Sequence, residues 1–153
     1  MEQNKRIVHF KINGDSYALH LDAVERVVHA VYVTPIPRAP EIVTGIINIE
    51  GTVIPVIDVR KCFRLPLVKL HPDHRFIIAN SAKRKVALMV DSVGEVMECE
   101  PGDIENEKTV LPEMPFVKGI VVLENGLILI NDIDKFLSLE DEKILEDALN
   151  NRQ

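Results

Sequence analysis

The sequence predicts an all-β fold with short helices: two five-stranded β-barrel subdomains, one unit written twice, followed by a C-terminal helix. Three observations predict it. The 153 residues hold no Trp and only 5% aromatics, so the core must come from Val, Ile and Leu, of which the β-branched pair suits a pleated surface. Turn signals recur between short apolar runs, the pattern of small barrels. Two blocks of residues repeat at nearly fixed offsets, the mark of internal duplication.

In the first repeated block, residues 18–24 (ALHLDAV) match 87–93 (ALMVDSV), and Val27 matches Val96, at an offset of 69. In the second, Val43, Gly45, Ile46, Glu50, Ile54, Asp58 and Lys61 recur as Val117, Gly119, Ile120, Glu124, Ile128, Asp132 and Lys135, at an offset of 74. The second half therefore carries five extra residues between its blocks. The opening strands match in character, residues 7–10 (IVHF) against 76–79 (FIIA).

Along the chain, residues 6–12 and 16–21 form a hairpin around Asn13-Gly14, a dipeptide that accepts the left-handed backbone of a tight turn. A third strand covers 24–33. Residues 34–40 (TPIPRAP) are a stiff loop, because three prolines remove three ladder donors. Strands over 45–49 and 53–57 flank a Glu50-Gly51 turn, and 119–123 and 127–130 flank Glu124-Asn125-Gly126. Pro55 within a strand implies an edge or a bulge. Asp58 and Asp132 are placed to cap short helices over 59–65 and 133–137. Ser138 with Asp141 forms a capping box opening a helix over 139–149, whose Ile144, Leu145, Ala148 and Leu149 share one stripe. The expected division is a first subdomain over about 14–70 and a second over about 71–137. Residues 1–13 complete one barrel or the other, and 138–153 form the C-terminal helix. A single barrel of this size has a marginal core, so the two should bury apolar surface against each other.

Composition excludes several function classes. A net charge of −6 argues against a nucleic-acid partner, and Lys83-Arg84-Lys85 reads as a solvated turn. Two cysteines, Cys62 and Cys99, make no disulfide framework. No apolar run approaches the roughly 20 residues needed to cross a bilayer, and the N-terminus lacks a signal-peptide pattern. A soluble, cytoplasmic protein without membrane insertion is expected.

Catalytic and cofactor signatures are sparse. His71-Pro72-Asp73-His74 has the one metal-like spacing, but Pro72 makes it a loop with no further ligand cluster. The glycines stand singly at turns, so no phosphate-cradling loop is expected, and no serine sits in a nucleophile elbow. Asp58 and Asp132 could be imagined as an acid–base pair; helix capping explains both positions and their recurrence. No metal, no cofactor and no enzyme activity are expected.

Residues 46–60, IINIEGTVIPVIDVR, resemble the signature of the CheW family, G-V-I-N-L-R-G-x-V-x-P-V-x-D-L-R. Residues 17–27, 90–96 before Pro101-Gly102-Asp103-Ile104, and 118–137 support the resemblance, which spans nearly the whole chain as a single CheW-like domain over 1–153. It implies two five-stranded barrels and a non-enzymatic adaptor. Such proteins join the regulatory domain of a CheA-type histidine kinase to the cytoplasmic tips of chemoreceptors. CheA and CheV-type proteins carry the same module beside further domains for which 153 residues leave no room.

Two positions depart from the family pattern. Glu50 stands where N-L-R-G has Arg, and Arg26 stands where V-x-E-[IV] has Glu. Together they suggest an ion pair of reversed polarity between neighbouring strands, and a divergent receptor or pathway. The resemblance points to Val24, Arg26, Val27, Gly45, Ile49, Glu50 and Gly51 as the partner-binding set, in an apolar groove that receives a helix. For Val24, Val27 and Ile49 ordinary barrel core is the competing reading. The other function classes weighed are a small-molecule sensor using an inter-barrel pocket and a hydrolase assembled from distant loops.

Overall fold

The computed structural model describes residues 5–106 and 116–151. The first hairpin is β1 (Lys5–Ile12) and β2 (Asp15–His20). A 3-10 turn, Leu21–Ala23, leads to β3 (Val24–His29). After the proline loop come β4 (Val43–Ile49), β5 (Thr52–Ile57) and α1 (Val59–Phe63). The second half repeats this order as β6 (Arg75–Asn80), β7 (Lys85–Val90) and β8 (Ser92–Cys99). A short β9 (Ile104–Asn106) precedes β10 (Val117–Leu123), β11 (Gly126–Asn131) and a 3-10 turn, Ile133–Lys135. The chain closes on α2 (Leu139–Asn150).

The sheets cut across the division expected at residues 70 and 71. One sheet has the order β3-β6-β7-β5-β4, and the other β8-β1-β2-β11-β10-β9. Each lobe therefore takes its first hairpin from the opposite half, and residues 5–12 join the six-stranded sheet. Two 69- or 74-residue offsets are equally compatible with a hairpin pairing at home or across the molecule, because strand pairing is non-local.

The duplication extends to register. β5 pairs in parallel with β7 through Val56↔Ala87, and β11 with β2 through Ile130↔Ala18, which are equivalent pairs. Bulges recur too: β3 carries an extra residue between Val24 and Arg26 against β6, and β8 one between Val93 and Val96 against β1. Thr44 in β4 and Lys118 in β10 are extra at matching places. Bulges bend and twist a strand, so their repetition repeats the curvature of each lobe.

The lobes are curled sheets rather than the closed barrels expected. No ladder joins β3 to β4; beyond β3 the two edges meet at the single bridge Thr34↔Ile46. The other lobe meets itself through β9, which continues β8 and pairs with β10 at Glu105↔Ile120. The strand predicted over 24–33 stops at His29. Pro55 lies in an inner strand, not at an edge, but the ladder to β7 begins only at Val56.

Asp58 accepts from the Arg60 N–H and Asp132 from the Asp134 N–H, each at 3.0 Å, so both cap as expected. The first helix is shorter than predicted, since Arg64 adopts a left-handed cap, and the second is only a 3-10 turn. The Ser138–Asp141 capping box is present in both directions, at 3.0 and 3.1 Å. α2 buries Leu145 and Ala148, while Ile144 of the predicted stripe faces outward.

The interior of the five-stranded lobe holds Ile54, Val56 and Ile78 around a buried Phe76, and that of the other is aliphatic, with Ile7, Ile128 and Ile130. A third cluster lies where the sheets and α2 meet. There the scarce aromatics collect: Phe10, Tyr17, Phe63, Phe116 and Phe136 form a chain of ring contacts with centroids 4.5–6.2 Å apart. The expectation of a core made only of Val, Ile and Leu fails at this layer and at Phe76. The expected burial of one unit against the other is present. Arg84 also departs from the solvated turn expected for it. Its guanidinium reaches Glu142 and Glu146 of α2, both at 2.9 Å, and fastens the helix to the β6–β7 turn.

Candidate protein-interaction surface

The residues singled out by sequence gather along one rim of the five-stranded lobe. β3 supplies Val24, Arg26 and Val27; β4 supplies Gly45 and Ile49; the β4–β5 turn supplies Glu50 and Gly51. Glu50 and Gly51 have φ of 52° and 86°, the two left-handed positions of a tight hairpin turn. Asn48 Oδ1 accepts the Gly51 N–H at 2.8 Å and holds that turn.

Arg26 Nη1 lies 3.4 Å from Glu50 Oε1. The reversed pair therefore exists, but not between neighbouring strands: β3 and β4 are opposite edges of the sheet, brought together by its curl. The charges alternate along the rim. Arg26 Nε is 4.0 Å from Glu25 Oε2, and Glu25 Oε1 is 2.8 Å from Lys85 Nζ. The Lys85 hydrogen bond, foremost, holds the Glu25 carboxyl below its usual pKa range. With side-chain exposures of 39% and 79%, the Arg26–Glu50 pair contributes about 0–1 kcal/mol to stability. Its main effect is on what the rim attracts.

The apolar members separate into two kinds. Val27 is exposed, whereas Val24 and Ile49 are half-buried against the cores. Gly45 serves a close approach: a Cβ there would press on the Thr34 carbonyl oxygen, with Thr34 C at 2.8 Å and Val33 Cγ1 at 2.9 Å. That contact is the bridge closing the lobe.

Sequence reasoning missed Val31 and Tyr32, which stand beside this rim. Tyr32 is 79% exposed. With Thr34, Ile47 and Val53 it borders a surface hollow of about 390 Å³. The available signal was weak: Tyr32 is one of two tyrosines, placed just before a proline-rich loop. An exposed rigid aromatic bordering an apolar hollow is the composition of an interface anchor.

Elsewhere the chemistry is structural. His71 Nδ1 accepts the Asp73 N–H at 3.0 Å and His74 Nδ1 accepts the His71 N–H at 3.1 Å, so both rings serve their own turn. Among the described residues no group of three or more His, Cys, Asp or Glu side chains could hold a metal ion. Burial pushes the Cys62 thiol up to about 12, with the nearby Asp58 charge adding to it, which leaves it an unreactive thiol. Among the described residues no helix is long and apolar enough to cross a membrane. The layer between the sheets, where a sensor would keep its ligand, is packed by the aromatic side chains.

The CheW-like domain family model matches residues 6–141. The chain is 28% identical to the Chemotaxis protein CheW of Bacillus subtilis (strain 168), covering 94% of this chain and 93% of that protein. It is 24% identical to the Chemotaxis protein CheW of Rhizobium meliloti (strain 1021), covering 91% of each. Among solved structures, the scaffolding protein TtCheW from Thermoanaerobacter tengcongensis superimposes with a TM-score of 0.82 at 34% identity. That match covers 91% of this chain and 96% of TtCheW.

Proposed function

We propose a non-catalytic adaptor role in a chemosensory pathway, on the premise that this chain belongs to the CheW-like domain family. In this reading it couples the cytoplasmic tips of chemoreceptors to the regulatory domain of a CheA-type histidine kinase. It works in the cytoplasm and reaches receptor arrays through protein contact. The observation that carries the reading is the family match over 6–141, joined to full-length likeness with a scaffolding protein. The rim supplies a mode of recognition: Val27 and Tyr32 offer apolar area, Arg26 and Glu50 select by charge, and Gly51 shapes the turn. Val24 and Ile49 back it from the core, and Gly45 keeps the lobe closed. Because Glu50 replaces the family's Arg, the cognate receptor should present a cation at the facing position.

The test is reconstitution with each CheA-type kinase and receptor of the source organism. Receptor-dependent kinase phosphorylation should rise when this protein is added. Glu50→Arg should shift preference toward receptors that serve family members with the usual Arg. A protein that neither co-sediments with any receptor–kinase pair nor alters phosphorylation would remove the reading.

A further inference from the structure

Arg60 belongs to the signature block, yet it is 3% exposed and cannot meet a partner. Its Nη2 lies 2.6 Å from Asp91 Oδ1. Asp91 sits between β7 and β8, where the chain leaves one sheet for the other. Its Oδ2 accepts the Asn13 N–H at 2.8 Å, and its own N–H donates to the Lys11 carbonyl at 3.0 Å. His74 Nε2 stands 3.5 Å from Oδ1. One carboxylate thus joins α1 and the entry to β6, on the five-stranded lobe, to the β1–β2 turn of the six-stranded lobe.

At the other crossover, between β2 and β3, no equivalent ion pair is present among the described residues. Asp22 there is equivalent to Asp91 by the 69-residue offset and is exposed. The position equivalent to Arg60 is Asp134, which accepts the Ala82 N–H at 2.7 Å and so ties the lobes by a single carboxylate-to-backbone bond with no guanidinium. Near that end α2 adds a second tie, through Arg84.

We propose that Arg60 and Asp91 are positioning residues that set the angle between the two sheets. Apolar packing is non-directional, so the aromatic layer holds the lobes together without specifying one orientation. Arg60 is buried while Asp91 is 32% exposed, and an ion pair that desolvates one partner this fully is a poor source of net stability. Two further guanidinium nitrogens of Arg60 find no protein acceptor among the described residues. The return on this pair is directional: one short charge-assisted bond at a junction of three segments.

The experiment places spin labels on Thr52→Cys and Asn125→Cys, exposed positions at the hairpin ends of opposite lobes, in a Cys62→Ser, Cys99→Ala background. Distances are measured in the native-like protein and in Arg60→Met, Asp91→Asn and the double variant. Asp91→Asn leaves the buried guanidinium without its counter-charge and should lower Tm by about 10 °C, and Arg60→Met, which leaves a partly exposed carboxylate, should lower it by less. The double variant should regain most of that loss while its inter-label distribution broadens or shifts. A double variant with the native distribution overturns the proposal. So does a double variant no more stable than the singles, because the pair would then be a stabilising element. No partner enters this readout, so it stands apart from the adaptor reading.

Discussion

The two rims of the molecule descend from one pattern and now differ in chemistry. In the five-stranded lobe Arg26 faces Glu50 across the closing edges. In the other lobe the equivalent residues are Glu95 and Glu124, two carboxylates with no ion-pair partner among the described residues. Around them Val96, Val122 and Leu127 are exposed, where the first lobe has Val27, Asn48 and Val53. Bulges and parallel registers survive in both copies, whereas the surface charges do not. Backbone geometry is constrained by every neighbour at once, while an exposed side chain answers only to what docks on it.

The largest expected effect is at the closure of the first lobe. Gly45→Asp drives a side chain into the Thr34 backbone and should cost roughly 2–4 kcal/mol. Urea denaturation reads the loss directly. If Gly45→Asp instead left stability unchanged while abolishing kinase or receptor binding, the glycine would belong to the recognition surface, and the difference between the lobes' closures would not matter.

A second prediction separates the lobes by acid sensitivity. His9 and His20 lie in β1 and β2 of the six-stranded lobe, where the first lobe has Ile78 and Met89. Burial, above all, holds both imidazoles below their usual pKa, with Lys11 and Lys118 acting in the same direction. Burial lowers His74 as well, against an upward pull from Asp91. A group with a lowered folded pKa binds fewer protons in the native state. Its stabilisation is complete above about pH 6.5 and is lost as pH falls through the folded value. Hydrogen exchange at pH 5 should therefore weaken β1 and β2 before β6 and β7, and His9→Ile with His20→Met should flatten the difference. Asp91 belongs to a lower window: burial raises its pKa, but the bonds from Arg60 and Asn13 outweigh that and leave it depressed. Its contribution persists until pH drops below about 4.

The smallest effect concerns the charges themselves. A double-mutant cycle on Arg26 and Glu50 should give a coupling of about 0–1 kcal/mol. Glu95→Arg, which copies the first rim into the second, should change stability by a similar amount, about 0–1 kcal/mol. A coupling well above that range would mark the pair as a structural fastener.

Much of this fold was legible because the duplication wrote each signal twice. The Asn13-Gly14 turn, the aspartate caps and the capping box rest on local chemistry, and each stands where that chemistry put it. The exchange of hairpins was not legible, since Ala18 and Ala87 occupy equivalent strands whichever half supplies the neighbour. Nor was the gathering of Phe10, Phe63, Phe116 and Phe136, which are distant in sequence. At the rim, Arg26 and Glu50 were readable as departures from a family pattern. Tyr32 was not, because exposure in a loop leaves no periodic trace. Arg60 stood in the quoted signature, and only burial distinguishes a clasp from a contact.

The exchanged hairpins also bear on how the chain is made. The first hairpin ends at His20, but the parallel neighbour of its β2, β11, ends at Asn131. At a synthesis rate of about 5–20 residues per second, the nascent first hairpin waits roughly 5–20 s before that neighbour exists. Through that interval it carries unpaired strand edges and an uncovered apolar face, the features that invite association between chains. A ribosome-bound chaperone that shields the first 30 residues should therefore raise the soluble yield of this protein more than one recruited after release.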